Sequence, residues 1–467
     1  MAERSQVSTA SLSPAERALR LFTDIRPGEA PASLAMLASV FLILAAYYFV
    51  KPAREGLLAA SVVSGISDTE LKAYSSFGQS LLLLGVIPIY DSIANRLRRR
   101  ALVTATSAFF ASNLVCFWAL QPGLIFESAG WVGIAFYLWV GIFNVFIVAQ
   151  FWSFAADVYS DEAGRRLIPM IAIGATAGAA TGSWIAKTLV PIVGTFGLVL
   201  VAAAVLFCSI VTLRIADSRA AAAEYLRTDR ERTRPSPGGT GSAGFRLVWR
   251  HRYLLATAFL ILVLNWVNTN GENFLFGAVE REFEAKVAAR GLTGEGATEF
   301  LRDETTRFYG DLSFWVNGVA LFLQAFVASR VLRYGGFGAI LLSLPLISLL
   351  SYSAMAIFPL LAVMRVAKIA ENSTNYSLTN TARQVLWLPT TTEMKYKAKA
   401  VVDTLFVRFG DALAAVTAFA GTRLLDVSPR WLFGFNAGLV LIWFAVCLVV
   451  VREHGRLTGA EAAQVAA

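Results

Sequence analysis

The sequence predicts an all-α polytopic membrane protein, with twelve transmembrane helices in two six-helix bundles. Three observations carry that expectation. Of 467 residues, 56% are apolar and only 16% are charged, with a mean hydropathy of +0.59. Uncharged runs of about 20 residues, the length that crosses a bilayer core as a helix, recur along the chain. Cations gather in alternate connections between those runs.

Residues 1–31 are polar and mixed in charge, without the compact basic, apolar and cleavage regions of a signal peptide. They are expected to form a cytoplasmic N-terminal segment, and the first span to be retained. Six runs follow near 34–51, 73–91, 101–120, 131–156, 167–187 and 191–213, making an N-terminal bundle over 32–213. Residues 214–252 carry nine Arg and no Lys, and "RTDRERTRPSPGGTGSAG" (Arg227 to Gly244) has the charge, Pro, Gly and Ser of a flexible linker. Six more runs near 253–276, 309–329, 336–355, 357–386, 400–422 and 431–451 make a C-terminal bundle over 253–451. A cytoplasmic tail, 452–467, closes the chain. Two equal sets around a linker are the plan of a two-bundle carrier.

The net charge is +9. Clusters at Arg96 to Arg100, Arg165 and Arg166, the Arg-rich linker, Arg330 and Arg333, Lys395 to Lys399, and Arg452 and Arg456 fall on one side if the spans alternate. That is the positive-inside pattern, with both termini cytoplasmic in a bacterial inner membrane. The charge therefore reports topology, and no nucleic-acid partner is expected. Cys116, Cys208 and Cys447 lie within spans, and His251 and His454 lie outside them. Neither a disulfide framework nor metal-ligand spacing follows, and no catalytic set, cofactor or enzyme activity is expected. In the fifth span, "GATAGAATG" repeats Gly at 174, 178 and 182. A phosphate loop would need a Gly-Lys-Ser/Thr ending, so the stripe reads as close helix packing.

Charges inside spans are costly, and they usually face a cavity or a partner. The tenth span continues into "RVAKIAENSTNYSLTNTARQ" (Arg365 to Gln384). Arg365, Lys368, Asn372, Tyr376, Thr379 and Arg383 recur every three or four residues and form one polar stripe, with Glu371 beside Lys368. The first span ends "YYFVKPAREGLL", placing Tyr47, Lys51, Arg54 and Glu55 on nearly one face. The seventh holds Asn265, Asn268, Thr269 and Glu272, and the eleventh holds Asp403, Arg408 and Asp411. Asp157 ends the fourth span and Asp311 opens the eighth. Stripes on four spans predict one hydrated pathway between the bundles. Some of these charges are expected instead to form salt bridges that hold a gate, and Lys51 and Arg54 could snorkel to headgroups. Six cations against seven acids leave the sign of the solute open.

The chain resembles the ATP/ADP translocases of plastids and obligate intracellular bacteria, distant relatives of the major facilitator superfamily. Lys51-Pro-Ala-Arg54-Glu55 is similar to that family's first-span motif, and "FWSFAADVYSDEAGRRLIP" (Phe151 to Pro169) to its Phe-Trp-x-Phe-Ala segment. Asn270-Gly271-Glu272, Tyr309-Gly310-Asp311 and "KYKAKAVVDTLFVRFGDAL" (Lys395 to Leu413) match further segments. The basic turn "YDSIANRLRRR" (Tyr90 to Arg100) resembles the superfamily's acid-plus-arginine loop through Asp91 and Arg96. Two departures stand out. "FYLWVGIFNVFIVAQ" (Phe136 to Gln150) lacks the family's fourth-span Glu, and Arg408 replaces its eleventh-span Lys, which changes hydrogen-bond geometry.

The resemblance implies a major-facilitator-like fold and a nucleotide substrate. Lys51, Arg365, Lys368 and Arg408 would then hold phosphate oxygens, with Arg54, Glu272, Asn372, Tyr376 and Arg383 completing the substrate site. Glu55, Asp157, Asp311, Glu371, Asp403 and Asp411 would serve gating or coupling. The expected partners are an anionic small molecule and the lipid bilayer. Two other readings compete: a proton-coupled carrier or exporter of another solute, and a non-transporting sensor of the same fold.

Overall fold

The structure is a computed structural model that describes residues 25–26, 28–61, 63–94, 99–124, 130–159, 161–222, 241–391 and 393–466. Residues 1–24, Arg96, Arg98 and the middle of the Arg-rich linker, 223–240, lie outside the described residues. The side chains of Asp91, Asp157, Arg165 and Lys395 do so too.

Among the described residues the fold is helical, without a β-strand. Helix α1 covers Ala30–Ala59, α2 Asp68–Ala94, α3 Arg99–Ala119, α4 Val132–Val158 and α5 Asp161–Ala222. A short helix α6, Gly241–Arg250, precedes α7, Arg252–Arg290, and α8, Gly294–Phe322. Then come α9, Ala328–Ile357, α10, Leu361–Thr374, α11, Asn380–Leu386, α12, Lys399–Val401, α13, Val407–Phe419, and α14, Pro429–Ala466. Widened π-type turns join several of them, at Leu323–Val327, Asn375–Thr379, Met394–Ala398, Val402–Phe406 and Ala420–Leu424.

Among the described residues, seven helical stretches are long and apolar enough to cross a membrane. Two of them, 166–219 and 294–357, are 54 and 64 residues long, far beyond one crossing of about 20 residues. Each is interrupted by a glycine at positive φ, Gly194 (φ 69°) and Gly336 (φ 70°), a backbone state that a side chain would strain. The first break falls a few residues beyond the turn expected at 188–190. Pro191 sits within the helix, so the chain turns where glycine permits it.

The fit of α1 against α5 explains the glycine stripe. A Cβ on Gly174 or Gly182 would lie 2.8 Å from Leu37 O or 2.7 Å from Ala45 O, and one on Gly178 would press on the Phe41 carbonyl. These residues let two helix backbones touch, the packing role read from their spacing. Buried apolar side chains gather into two large clusters. One draws almost wholly on 25–216, including Phe49, Phe136, Phe143 and Leu206. The other draws on 248–450, including Phe276, Tyr352 and Trp443, and takes in Leu58, Leu71 and Tyr137 from the first region. Polar side chains lie between the clusters.

Candidate functional site

A cavity of about 190 Å³ opens where α1, α7, α8 and α10 meet. Its wall takes Tyr48, Lys51, Arg54 and Glu55 from α1, and Asn268 and Glu272 from α7. Tyr309, Ser313 and Asn317 come from α8, at a spacing of four that aligns them on one helix face, and Asn372 and Tyr376 complete it. Tyr376 lies in the π-type turn after α10, and such turns re-aim side chains at functional positions. The Tyr309 hydroxyl and Asn268 Oδ1 have no hydrogen-bond partner, although both are buried.

Lys51 is the distinctive charge. Its Nζ lies 3.3 Å from Tyr376 Oη and 5.4 Å and 5.6 Å from the ring centroids of Tyr48 and Tyr376. Among the described residues no carboxylate pairs with it. Two aromatic faces hold the ammonium without neutralising it.

The other charges are paired. Glu55 binds both Arg54 and Lys72, and Lys72 lies over the Tyr137 ring. Lys368 is wholly buried, with Nζ 3.1 Å from Glu272 Oε1 and 2.8 Å from Glu371 Oε2. Asn372 donates to Glu272 Oε1 at 3.0 Å, while Tyr352 donates to the Glu371 carboxylate at 2.9 Å. A side chain at Gly271 would collide with Tyr352 and Lys368, so glycine makes room for this network. Asp311 takes Lys187 on one oxygen and Arg365 on the other. On the contact between α2 and α13, Asp411 accepts from Ser80, Asn265 and Thr269, and Arg408 approaches it at 3.2 Å.

Of the residues expected to bind substrate, the structure brings Lys51, Arg54, Glu272, Asn372 and Tyr376 to one cavity wall. Lys368 stands directly behind Glu272. Arg365 belongs to the Asp311 cluster and Arg408 to the Asp411 cluster, and neither lines the cavity. Arg383 pairs with Asp403 at 3.2 Å, both partly exposed and also away from the cavity. Helical spacing could not foresee this, because a stripe of 20 residues runs about 30 Å and passes several neighbours.

Sequence reading missed Lys72, Lys187, Tyr48, Tyr309 and Tyr352. Lys72 and Lys187 sit at span ends on the same side as Lys51 and Arg54, and their place beside an apolar run was the available signal. A buried carboxylate was missed as well: Glu280 of α7 is 2% exposed and accepts from Thr305 Oγ1 at 3.1 Å.

Contacts between the two regions gather at the end that carries the α1–α2 and α7–α8 connections. Thr195 donates from N and Oγ1 to Asp303 Oδ1 at 3.1 and 2.8 Å, and Arg302 covers the Phe196 ring at 5.0 Å. Gly56 abuts Thr306, and Gly277 abuts Thr69. At the start of α2, Ser67 and Glu70 form a reciprocal capping box, Ser67 N to Glu70 Oε2 at 2.9 Å and Glu70 N to Ser67 Oγ at 3.4 Å. Glu70 also accepts from Arg423 at 2.8 Å, across the two regions. Burial alone would raise the Glu70 carboxyl, but hydrogen bonds from Ser67 and Arg423 outweigh it and hold it below the usual carboxylate range.

No family model matches the chain. It is 23% identical over 386 residues to ADP,ATP carrier protein 1 of Chlamydia pneumoniae, covering 74% of this chain and 71% of that protein. A shorter match, 26% over 165 residues, links it to ADP,ATP carrier protein 1 of Chlamydia muridarum, with 28% of this chain and 31% of that protein covered. These matches bear out the resemblance read from the motifs. Among solved structures it superposes on a bacterial homologue of the human lysosomal transporter Spinster in an inward-facing, unoccupied conformation. The TM-score there is 0.58 at 14% identity, covering 93% of this chain and 99% of the other. An auto-inhibited POT family peptide transporter gives a TM-score of 0.60 at 11% identity, covering 90% and 96%. At such identities the likeness is one of fold. The chain is an integral, multi-pass, all-α membrane protein with a major-facilitator-like architecture.

Proposed function

We propose that this chain is a secondary transporter that carries an organic anion, first of all a nucleotide, by alternating access. In this reading residues 32–213 and 253–451 are two bundles that rock about the central cavity. The observation that carries it is Lys51, an ammonium without a carboxylate partner among the described residues, on the wall of a cavity shared by both regions. An uncompensated charge away from bulk water is costly, and an anionic ligand offsets that cost on binding. Arg54 lends a second cation from the same wall. The partnerless Tyr309 hydroxyl and Asn268 carbonyl, with the Tyr48 and Tyr376 rings, offer hydrogen bonds and flat faces to the uncharged part of such a solute. The two Chlamydia relatives are named as ADP,ATP carriers, which directs the choice toward nucleotides.

The contacts at one end make that end the closed gate, and the Lys187–Asp311–Arg365 cluster its inner edge. Opening it separates Lys187 from Asp311. Glu272, shared with Lys368, couples the cavity wall to the buried Glu371 and Tyr352 behind it. Protein in liposomes preloaded with ADP should take up labelled ATP or another phosphorylated solute. Absence of uptake with every phosphorylated solute overturns the substrate class.

A second reading keeps the cavity but makes Glu272 a proton carrier. It draws on the Glu272 side chain, 30% exposed on the cavity wall and sharing Lys368 with a second carboxylate. Uptake driven by an imposed pH gradient and abolished in Glu272→Gln selects this reading over exchange.

A further inference from the structure

The cavity leaves the Arg-rich region between the two bundles without a role, yet its end folds. Helix α6 carries Phe245 and Trp249 four residues apart, and Arg246 and Arg250 four residues apart one position on. Each pair therefore shares a face, the two faces being adjacent. The opposite side is sealed to the protein. Val248 is fully buried, and a Cβ on Gly244 would lie 2.6 Å from Lys397 O and 2.8 Å from Val401 Cγ2. On the outer side Phe245 is 38% and Trp249 60% exposed, their rings 6.0 Å apart and edge to face. Arg246, Arg250 and Arg252 are exposed too, and so is Lys399 nearby. Glu393, the acid on the neighbouring turn, is engaged by Lys397 at 2.9 Å.

The height of this face is set by the chain. His251 is the single residue between α6 and α7, its backbone extended (φ −111°, ψ 117°), and it interrupts the helix just before the apolar crossing begins at Tyr253. A helix tied by one residue to the start of a crossing lies at the level of the lipid headgroups. There an aromatic pair occupies the acyl boundary and arginines meet phosphates, the division of labour of an interfacial helix.

We propose that α6 is a docking surface for anionic lipid headgroups, which clamps the start of α7 and the 394–401 turn to one leaflet. Phe245 and Trp249 insert, while Arg246, Arg250 and Arg252 bind phosphate oxygens. Each arginine near an anionic surface strengthens attachment about fivefold.

The test uses the full-length protein with its cysteines replaced and bimane, itself aromatic, on Trp249→Cys. It is reconstituted in phosphatidylcholine vesicles with or without phosphatidylglycerol. The expected result is a blue-shifted emission, quenched by shallow spin-labelled lipid several-fold more strongly in the anionic vesicles. Adding Arg246→Gln and Arg250→Gln should make the two vesicle types alike. Emission of a water-exposed dye in both, or equal quenching in both before the arginines are changed, overturns the proposal. In detergent, short-chain phosphatidylglycerol should raise the Tm of the native sequence and inorganic phosphate should not. An equal rise with phosphate that is lost in Arg246→Gln, Arg250→Gln makes this a free-anion site and overturns the lipid assignment, whereas a rise that survives those changes belongs to the central cavity and leaves the lipid arm of the test to decide. Trp249, Arg246 and Arg250 are exposed whereas Cys447 is buried, so elution of the cysteine-replaced background and of each variant as monodisperse protein keeps misfolding apart from loss of docking.

Discussion

Lys51 Nζ stands 3.3 Å from Tyr376 Oη, joining the end of the first helix to a π-type turn 325 residues later. No described carboxylate shares that ammonium. Lys51→Met should therefore leave the fold intact and lower uptake of an anionic solute by about tenfold to a hundredfold, the worth of one charge-assisted hydrogen bond. Lys51→Arg should retain part of it. Concentration-dependent uptake into liposomes, with Tm as the folding control, checks both.

Asp311 is the shared anion of the proposed gate. Asp311→Asn should release Lys187 and Arg365 and shift the population toward opening of the closed end. Because both cations are about a third exposed, the stability loss should be modest, about 1–2 kcal/mol. Thiol labelling of a cysteine at Thr195 should accelerate in the Asn variant. Unchanged labelling removes Asp311 from the gate.

Lys368 carries the opposite expectation. It is wholly buried between two carboxylates, so Lys368→Met leaves buried acid without its cation and should cost about 3–5 kcal/mol. Adding Glu371→Met should recover part of the loss, since the pair is then removed together. Thermal unfolding of the two variants decides.

Glu70 has a carboxyl held below its usual range, so its stabilising effect is present above the unfolded pKa. That effect is lost as pH falls through the still lower folded value. The Glu70–Arg423 bridge should hold at neutral pH and weaken in acid, below about pH 4. Glu70→Gln should lose the contribution at pH 7 and flatten the acid limb of a Tm-against-pH curve. A curve identical to that of the native sequence refutes the bridge.

The Gly174, Gly178 and Gly182 stripe offers a packing test. Gly178→Leu should abolish folding or drop Tm sharply, because its side chain would enter the Phe41 backbone. The same change at Gly434, where a Cβ meets open space, should be tolerated. Yield and monodispersity after purification report the difference.

Much of the molecule was legible in the chain alone. Helical crossings follow from local composition, because a bilayer leaves backbone groups no partner but each other and apolar runs mark where that happens. The glycine stripe and the polar faces near Lys51 and Glu272 follow from helical period, another local property. Which stripes meet was not local. Arg365, Lys368, Arg383 and Arg408 looked alike as cations within spans. Packing sends Arg365 to Asp311, buries Lys368 behind Glu272, and leaves Arg383 and Arg408 with Asp403 and Asp411. Lys72 finds Glu55 on the preceding helix, and Lys187 finds Asp311, 124 residues on. A charge states what it needs, whereas the neighbour that meets the need is chosen by how separate helices come to rest. For that reason only the tertiary structure could single out Lys51 as a cation on the cavity wall with no described carboxylate beside it.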